Sequence, residues 1–400
     1  NYFIYKGLKV MFKEITIIGG AGHVGLAFTL ICVSKNIKVH INDSNLNSIN
    51  LIKKGKLPHK EKGGLEILKK ALKNNLISFS TNIKNIKLNN INIVCLGTPI
   101  DEFLKPQHNK LISLFNELNP ILKNNQHIIL RSTVSPGTTR FLHNLINTRN
   151  KKIKMTFYPE RFIQGYAIQE FYEFPQIIGA VNKEAELECK KFLKKLKCEI
   201  IYLNPEEAEL TKLFLNSYRY VQFSIANQFY KIAKNANLNY SKINFAMSHK
   251  YKRGKVPSPG FTAGPCLLKD TMQLYSFSKN DFSLGIEAMT TNEGIADFVV
   301  DKIKEDTNLS KKIVGILGMA FKPESDDTRN SLSYKLKKIL QLNAKGVLTT
   351  DPYVKNDKSI RSLKEVENKS DILIIATPHK IYKKIKTNKK IINIWIDFEL

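Results

Sequence analysis

Apolar residues fall into two rhythms along this chain. Short β-branched and aliphatic runs at 15–18, 37–43, 92–96, 127–130 and 154–157 alternate with Lys/Leu-rich stretches whose apolar positions recur at helical spacing. Strands alternating with helices predict a parallel sheet covered on both faces. In such sheets ligands sit beyond the carboxyl ends of the strands. Those ends read Gly97-Thr98-Pro99, Arg131-Ser132-Thr133 and Tyr158-Pro159-Glu160, polar or turn-forming where a ligand would lie.

The rhythm changes near residue 204. Asn204-Pro205-Glu206-Glu207 offers an N-cap, a proline at the first helical position and an acid placed to close a capping box. The pattern then runs unbroken through Leu210, Phe214, Val221, Ile225 and Phe229 to about Lys234. This predicts one long central helix whose Leu213, Phe214, Val221 and Ile225 side is buried in a homodimer, a helix packed within its own chain being the alternative. From Lys311 the opening grammar returns: 313–318 repeats the first strand, 347–351 repeats a strand ending in an acid, and Ile372-Leu373-Ile374-Ile375-Ala376-Thr377-Pro378 echoes Ile93-Val94-Cys95-Leu96-Gly97-Thr98-Pro99. The fold expected is α/β, with two Rossmann-like parallel-sheet domains joined by a long central helix. The boundaries expected are 11–203, 204–305 and 306–400. Met11 stands just before the first strand, and no function is placed on residues 1–10.

Composition narrows the function classes. No run of eighteen apolar residues occurs, and the first residues lack the apolar core and cleavage site of a signal peptide, so a soluble cytoplasmic protein with no membrane partner is expected. The five cysteines are scattered with no CxxC or Cys/His cluster, which argues against structural zinc or any other metal. A net charge of +28 suits phosphate ligands, but the lysines alternate with Asn and Ile over the whole chain instead of forming a block. The reading is therefore a small polyanionic ligand such as a nucleotide, and no nucleic acid.

Two stretches carry chemistry. The first run leads at once into Gly20-Ala21-Gly22-His23-Val24-Gly25 and a helical segment, the context a dinucleotide fingerprint requires: Gly20 for the turn, Gly22 to admit a pyrophosphate, Gly25 for close helix packing. Asp43 ends the second run eighteen positions after Gly25, where a carboxylate accepts the ribose hydroxyls of NAD and repels the extra phosphate of NADP. The second stretch is Phe261-Thr262-Ala263-Gly264-Pro265-Cys266-Leu267-Leu268-Lys269-Asp270. It sets a thiol in a small-residue turn with Lys269 near enough to favour thiolate, a nucleophile's setting, although simple helix capping would use similar residues. The basic segment 249–255, with Arg253, leads into it.

With these residues in view the chain resembles the UDP-glucose/GDP-mannose dehydrogenase family. The resemblance runs from Ile15 to Asp397 and rests on six motifs in order: Gly20 to Gly25, Ser132-Thr133-Val134-Ser135-Pro136-Gly137-Thr138, Pro159-Glu160-Arg161, Lys212 with Asn216, Gly264-Pro265-Cys266-Leu267-Leu268-Lys269-Asp270, and Phe321-Lys322-Pro323 followed by Asp327-Thr328-Arg329. It implies two successive NAD-linked oxidations of a nucleotide-sugar primary alcohol to a carboxylate, as in polysaccharide biosynthesis, with Cys266 holding the intermediate aldehyde as a thiohemiacetal and then a thioester. Lys212 and Asn216 would stabilise negative charge on the substrate oxygen. Asp270 and Thr133 would position or deprotonate a water, and Glu160 would act as base or water holder, with the first proton acceptor left open between carboxylates. Beside the fingerprint residues, His23 and Val24 included, Thr98, Thr133 and Arg329 would touch NAD. Glu160, Arg161, Phe162, Lys212, Asn216, Arg253, Phe261, Gly264, Phe321 and Lys322 would touch the sugar nucleotide.

Two positions depart from the family pattern: Ala263 stands for a glycine and Leu268 for a proline, a variant more similar to dehydrogenases of N-acetylated sugars. Ala263 is tolerable only at negative φ. The alternatives are a single-step NAD dehydrogenase of the hydroxyacid or phosphogluconate type, which needs no thiol, and a non-catalytic NAD-binding protein.

Overall fold

A computed structural model describes residues 12–147 and 151–398; residues 1–10 and Met11 lie outside them. The chain divides into two compact units, one reaching Asp101 and taking up again at Pro106–Lys212, the other made of Glu102–Lys105 and everything from Leu213 onward.

The first unit holds eight strands: β1 (Glu14–Ile18), β2 (Lys38–Asn42), β3 (Ile77–Ser80), β4 (Ile91–Val94), β5 (His127–Leu130), β6 (Lys154–Phe157), β7 (Gln176–Ala180) and β8 (Ile200–Leu203). They lie in the order β3-β2-β1-β4-β5-β6-β7-β8. Neighbours are parallel except β6 and β7. The parallel sheet expected is thus kept, with this one pair departing from it. A parallel neighbour needs a crossover, usually a helix, and the segment before β7 supplies only the four-residue helix Ala167–Glu170. Alternation along the strands builds a core on each face: Ile15, Ile17, Ile93 and Ile129 on one, Ile18, Val94, Ile128 and Leu130 on the other.

The second unit repeats the plan at half the size. β9 (Ile313–Leu317), β10 (Gly346–Thr350), β11 (Ile372–Ile375) and β12 (Lys390–Asn393) form a parallel sheet in the order β10-β9-β11-β12, which matches β2-β1-β4-β5. Ile316 and Ile374 face one core, Leu317 and Leu373 the other.

The long helix is Pro205–Asn235, and the unit boundary falls inside it. Its capping box forms reciprocally, Glu207 N–H donating to Asn204 Oδ1 at 2.9 Å and Asn204 N–H to Glu207 Oε2 at 3.0 Å. The apolar side named from the sequence is not one face. Leu213 is fully buried, whereas Phe214 is 55% and Ile225 41% exposed. At 100° per residue Leu213 lies about a quarter turn from the other three, so it serves the core while Phe214 and Ile225 face outward and Val221 is partly covered.

Candidate functional site

In the first unit the turn after β1 is made by Gly19, whose φ is +76°, and not by Gly20 as read from the sequence. Gly20 answers a different demand: a Cβ there would come within 2.9 Å of the Ile17 carbonyl and 3.0 Å of the Ile41 side chain. Gly25 packs against the same turn, a Cβ meeting Gly20 Cα at 2.7 Å. Gly22 alone has room, 3.5 Å from its nearest neighbour, and it caps the helix His23–Ser34. An open glycine at a helix N-terminus is where backbone amides can approach a pyrophosphate. Asp43 follows β2, half-buried, its carboxylate accepting from Ala21 N–H (2.9 Å) and Asn45 N–H (2.9 Å). His23 stacks on His59 with ring centroids 3.6 Å apart.

The ends of β4 and β5 are laced together: Thr98 Oγ1 donates to the Thr133 carbonyl, and Leu96 N–H donates to Ser132 Oγ at 2.9 Å. After β6, Glu160 accepts from Phe162 N–H (2.6 Å) through one oxygen and from Arg131 Nη2 (2.8 Å) through the other. Burial pushes the Glu160 carboxyl up, while Arg131 and, further off, Lys212 oppose the push. Lys212 is itself 7% exposed. The helix around it is pinned by Glu209, which accepts from Gly137 N–H, Thr139 N–H and Thr139 Oγ1 at 2.6–2.8 Å. Thr133, Glu160 and Lys212 thus stand in one unit with a counter-ion, Arg131, that sequence reasoning passed over as part of a polar strand end. Its signal was a lone arginine after three apolar residues, Ile128-Ile129-Leu130.

In the second unit Cys266 is the N-cap of the helix Leu267–Phe277 and the one exposed sulfur of the five cysteines. Burial pushes the thiol of Cys95 up to about 12 and that of Cys198 to about 11, and those of Cys32 and Cys189 higher still. A sulfur at a helix N-terminus has the dipole in favour of its thiolate. The Lys269 ammonium, three positions on, is ion-paired with Asp270. The Arg329 guanidinium is coupled electrostatically to Cys266, and it is held bidentately by Asp327 at 2.7–3.2 Å. Asn216 donates to the other Asp270 oxygen at 2.5 Å.

The cysteine loop is anchored by buried amides the sequence did not advertise. Asn227 accepts from Gly260 N–H at 2.8 Å and donates to Asn292 at 2.9 Å, and Asn292 donates to the Tyr220 carbonyl at 3.2 Å. Gly264 adopts φ +108° with its Cα face on the Phe321 ring, where a Cβ would meet ring carbons at 2.6 Å. Ala263 is absent from the positive-φ residues, as its side chain demands.

Three family models cover this architecture in order: the NAD binding domain of the UDP-glucose/GDP-mannose dehydrogenase family over residues 13–197, its central domain over 206–293 and its UDP binding domain over 315–395. A UDP-N-acetyl-D-mannosamine dehydrogenase of Pyrococcus horikoshii is 31% identical over 92% of this chain and 90% of its own. The chain belongs to the UDP-glucose/GDP-mannose dehydrogenase family. Among solved structures, that of the UDP-D-ManNAc dehydrogenase from Pyrococcus horikoshii matches with a TM-score of 0.87 at 28% identity, covering 96% of this chain and 95% of that one. A UDP-glucose dehydrogenase from Pyrobaculum islandicum matches at 0.87 with 21% identity over 97% and 96% of the two chains, a likeness of fold.

For a member of this dehydrogenase family the cofactor is NAD, and the open Gly22, the helix N-terminus behind it and the half-buried Asp43 fit a dinucleotide. The structure places the remaining expected residues less evenly. Phe162 borders the first unit's cluster through Glu160 and Arg131, but the Arg161 guanidinium is bound to the Pro175 carbonyl and lies over the Phe174 ring. Phe261 is 2% exposed and its ring belongs to the second unit's core, so it can meet a ligand only through its backbone. Arg253 is exposed on a short 3-10 turn over the Tyr251 ring, and Lys322 sits over Phe321.

Proposed function

We propose that this dehydrogenase oxidises the C6 primary alcohol of a UDP-linked N-acetylhexosamine to the uronic acid in two NAD-linked steps, with Cys266 retaining the intermediate. The substrate class is supported by the N-acetylmannosamine dehydrogenases among its relatives, and the chemistry by one observation above all: an exposed sulfur at a helix N-terminus, in a loop tied down by buried amides. NAD, when bound, supplies the hydride acceptor in each of the two oxidations.

The residues divide the remaining work. The alcohol loses a proton as its hydride leaves, and the Lys212 ammonium with the Asn216 amide offset charge on that oxygen. The Cys266 sulfur then bonds to the aldehyde carbon and the carbonyl oxygen takes a proton, giving a thiohemiacetal. Loss of a second hydride and that proton leaves a thioester. Water, held by Asp270 and Thr133 and relieved of a proton by Glu160, adds to the thioester; the C–S bond breaks, thiolate returns and the carboxylate leaves. Each sugar therefore yields two NADH. Replacing the thiol tests this directly. Cys266→Ser should fold and bind NAD, still make the first NADH, and lose several orders of magnitude (roughly 10³-fold or more) in acid formation, since a neutral hydroxyl is a far poorer nucleophile. Acid production at near wild-type rate would exclude covalent catalysis and leave a single-step dehydrogenase.

The assembly proposed is a homodimer. Phe214, Tyr218, Ile225, Phe229 and Ile232 form an outward stripe along the long helix, each between 40% and 63% exposed. Their spacing follows a 3.5-residue seam of the kind that pairs two helices. Phe214→Asp with Ile225→Asp should turn a sedimenting dimer into a monomer; a wild type that sediments as a monomer at micromolar concentration would contradict it. Among the described residues no helix is long and apolar enough to cross a membrane, and we place the enzyme in the cytoplasm with its nucleotide substrates.

A further inference from the structure

We infer that Arg131 is a positioning residue for Glu160, supplying the fixed positive charge against which that carboxylate is aimed. The inference rests on the role proposed above for Glu160. Arg131 is 1% exposed, at the end of β5. Its guanidinium carbon lies 4.0 Å from the Tyr158 ring centroid and 4.3 Å from that of Phe28, with Phe162 at 5.6 Å. Nη2 reaches Glu160, while Nε and Nη1 have no hydrogen-bond partner among the described residues.

That arrangement is a poor way to gain stability. A buried ion pair rarely repays the removal of its charges from water even with every proton satisfied, and an apolar side chain of similar shape would fill the aromatic stack as well. It is a good way to hold a carboxylate. Aromatic faces on several sides fix the guanidinium plane, the guanidinium fixes one Glu160 oxygen, and the Phe162 amide fixes the other. Several other groups act on the same carboxylate or feel it: Lys212 from the long helix, Arg161 next in the chain, Cys95 after β4, Tyr158 after β6, and Glu61 from the loop before the helix Gly64–Lys73. Arg131 is foremost among the cations that counter the upward push of burial on Glu160, with Lys212 and the neighbouring Arg161 behind it. Without Arg131 the carboxyl would hold its proton to higher pH and could neither take a proton from water nor point in one direction.

The test compares pH profiles of the full-length protein turning over UDP-N-acetyl-D-mannosamine with NAD. Arg131→Met keeps the stem between the rings and removes the charge. The acid limb of kcat should move up by about 1–3 pH units, the range expected for loss of one close opposite charge, while the first-NADH burst and KM stay near wild type. Arg131→Lys, with charge but no planar fork, should move it less. An unshifted limb in Arg131→Met, or a loss equal at every pH with a lowered melting temperature, would make Arg131 merely structural and overturn the inference. If Arg131→Met does not fold, Arg131→Gln, also uncharged, is read by the same limb, a shift supporting the inference and its absence overturning it. Glu160→Gln, run alongside, separates the two levels. If it is slow while both Arg131 variants behave as wild type, the proposed function stands and this inference falls; if it turns over normally, the role of Glu160 falls first.

Discussion

The turn after β1 and the turn after β9 start from the same geometry. Each places a glycine at positive φ, Gly19 at +76° and Gly318 at +95°, whose N–H donates at 2.8 Å to the last residue of the neighbouring strand, Asn42 or Thr350. Each faces an aspartate just past that neighbour, Asp43 or Asp351, whose carboxylate catches amides of the turn. Beyond the glycine the two units part. In the first unit the helix starts at His23, four residues on, with an open Gly22 as its cap. In the second the helix waits until Leu332, fourteen residues on, and the intervening loop carries Phe321, Lys322 and Arg329. Asp351 is also spent. It accepts from Met319, Ala320, Tyr353 and Val354 amides at 2.7–3.1 Å and from His379 Nε2 at 3.1 Å, the ring's Nδ1 being occupied by Glu324 N–H. The same strand-turn-strand grammar thus yields an aspartate with capacity to spare for a ribose in one unit and a sealed structural knot in the other. The location of an acid after the second strand is therefore not enough to identify a dinucleotide site; the helix start and the aspartate's remaining lone pairs decide.

The sharpest way to break this comparison is to remove each aspartate and read stability. Asp351→Ala strips the acceptor from four buried amides and one imidazole, and should cost the second unit about 3–5 kcal/mol, the scale for breaking a buried polar network by one partner. Asp43→Ala, at a half-exposed carboxylate with two amides, should cost about 1 kcal/mol or less. Equal losses in calorimetry would mean that Asp351 is no knot. The acid side gives the same contrast. Burial pushes the Asp351 carboxyl up, but His379 and the Ala320 and Met319 amides outweigh it, leaving the carboxyl below the ordinary aspartate range. A depressed folded value contributes stability that is present above the unfolded carboxylate's pKa of about 3.9 and lost as pH falls through the folded one. The wild-type second unit should therefore lose melting temperature below about pH 4, and Asp351→Ala should flatten that loss.

Much of this was legible in the chain because it depends on short-range pattern. β5, β6, the long helix with its capping box, the fingerprint glycines and the repeat at 313–318 each announce themselves within a few residues. The strands that escaped, β3, β7, β8 and β12, are short, and two of them, β3 and β12, carry partly exposed positions with serine, lysine or asparagine that blur the alternation. Partnerships across long separations were invisible for a different reason. Asn227 with Gly260, Arg131 with Glu160 and His379 with Asp351 are side chains from distant segments, and nothing local distinguishes a buried Asn or Arg from a solvated one. Short-range reading also set Lys269 beside Cys266 without showing its ion pair to Asp270.

The remaining prediction concerns ligand binding and has the smaller effect. Asp43 keeps lone pairs beyond those used by Ala21 and Asn45, and at the end of β2 it is placed to accept ribose hydroxyls. Asp43→Ala should raise the KM for NAD roughly 10- to 100-fold, the worth of a lost charge-assisted hydrogen bond or two, while leaving kcat within a few-fold. It should also remove the repulsion that excludes a 2′-phosphate, so kcat/KM for NADP, which the wild type should use poorly, rises toward that for NAD. Asp351→Ala, assayed well below its melting temperature, should leave the NAD to NADP ratio untouched, since its carboxylate meets only protein. Comparable kcat/KM for the two cofactors in the wild type would deny Asp43 its role. A shifted ratio in Asp351→Ala would show instead that the second unit's knot also reaches the cofactor, and the division of labour between the two aspartates would fail.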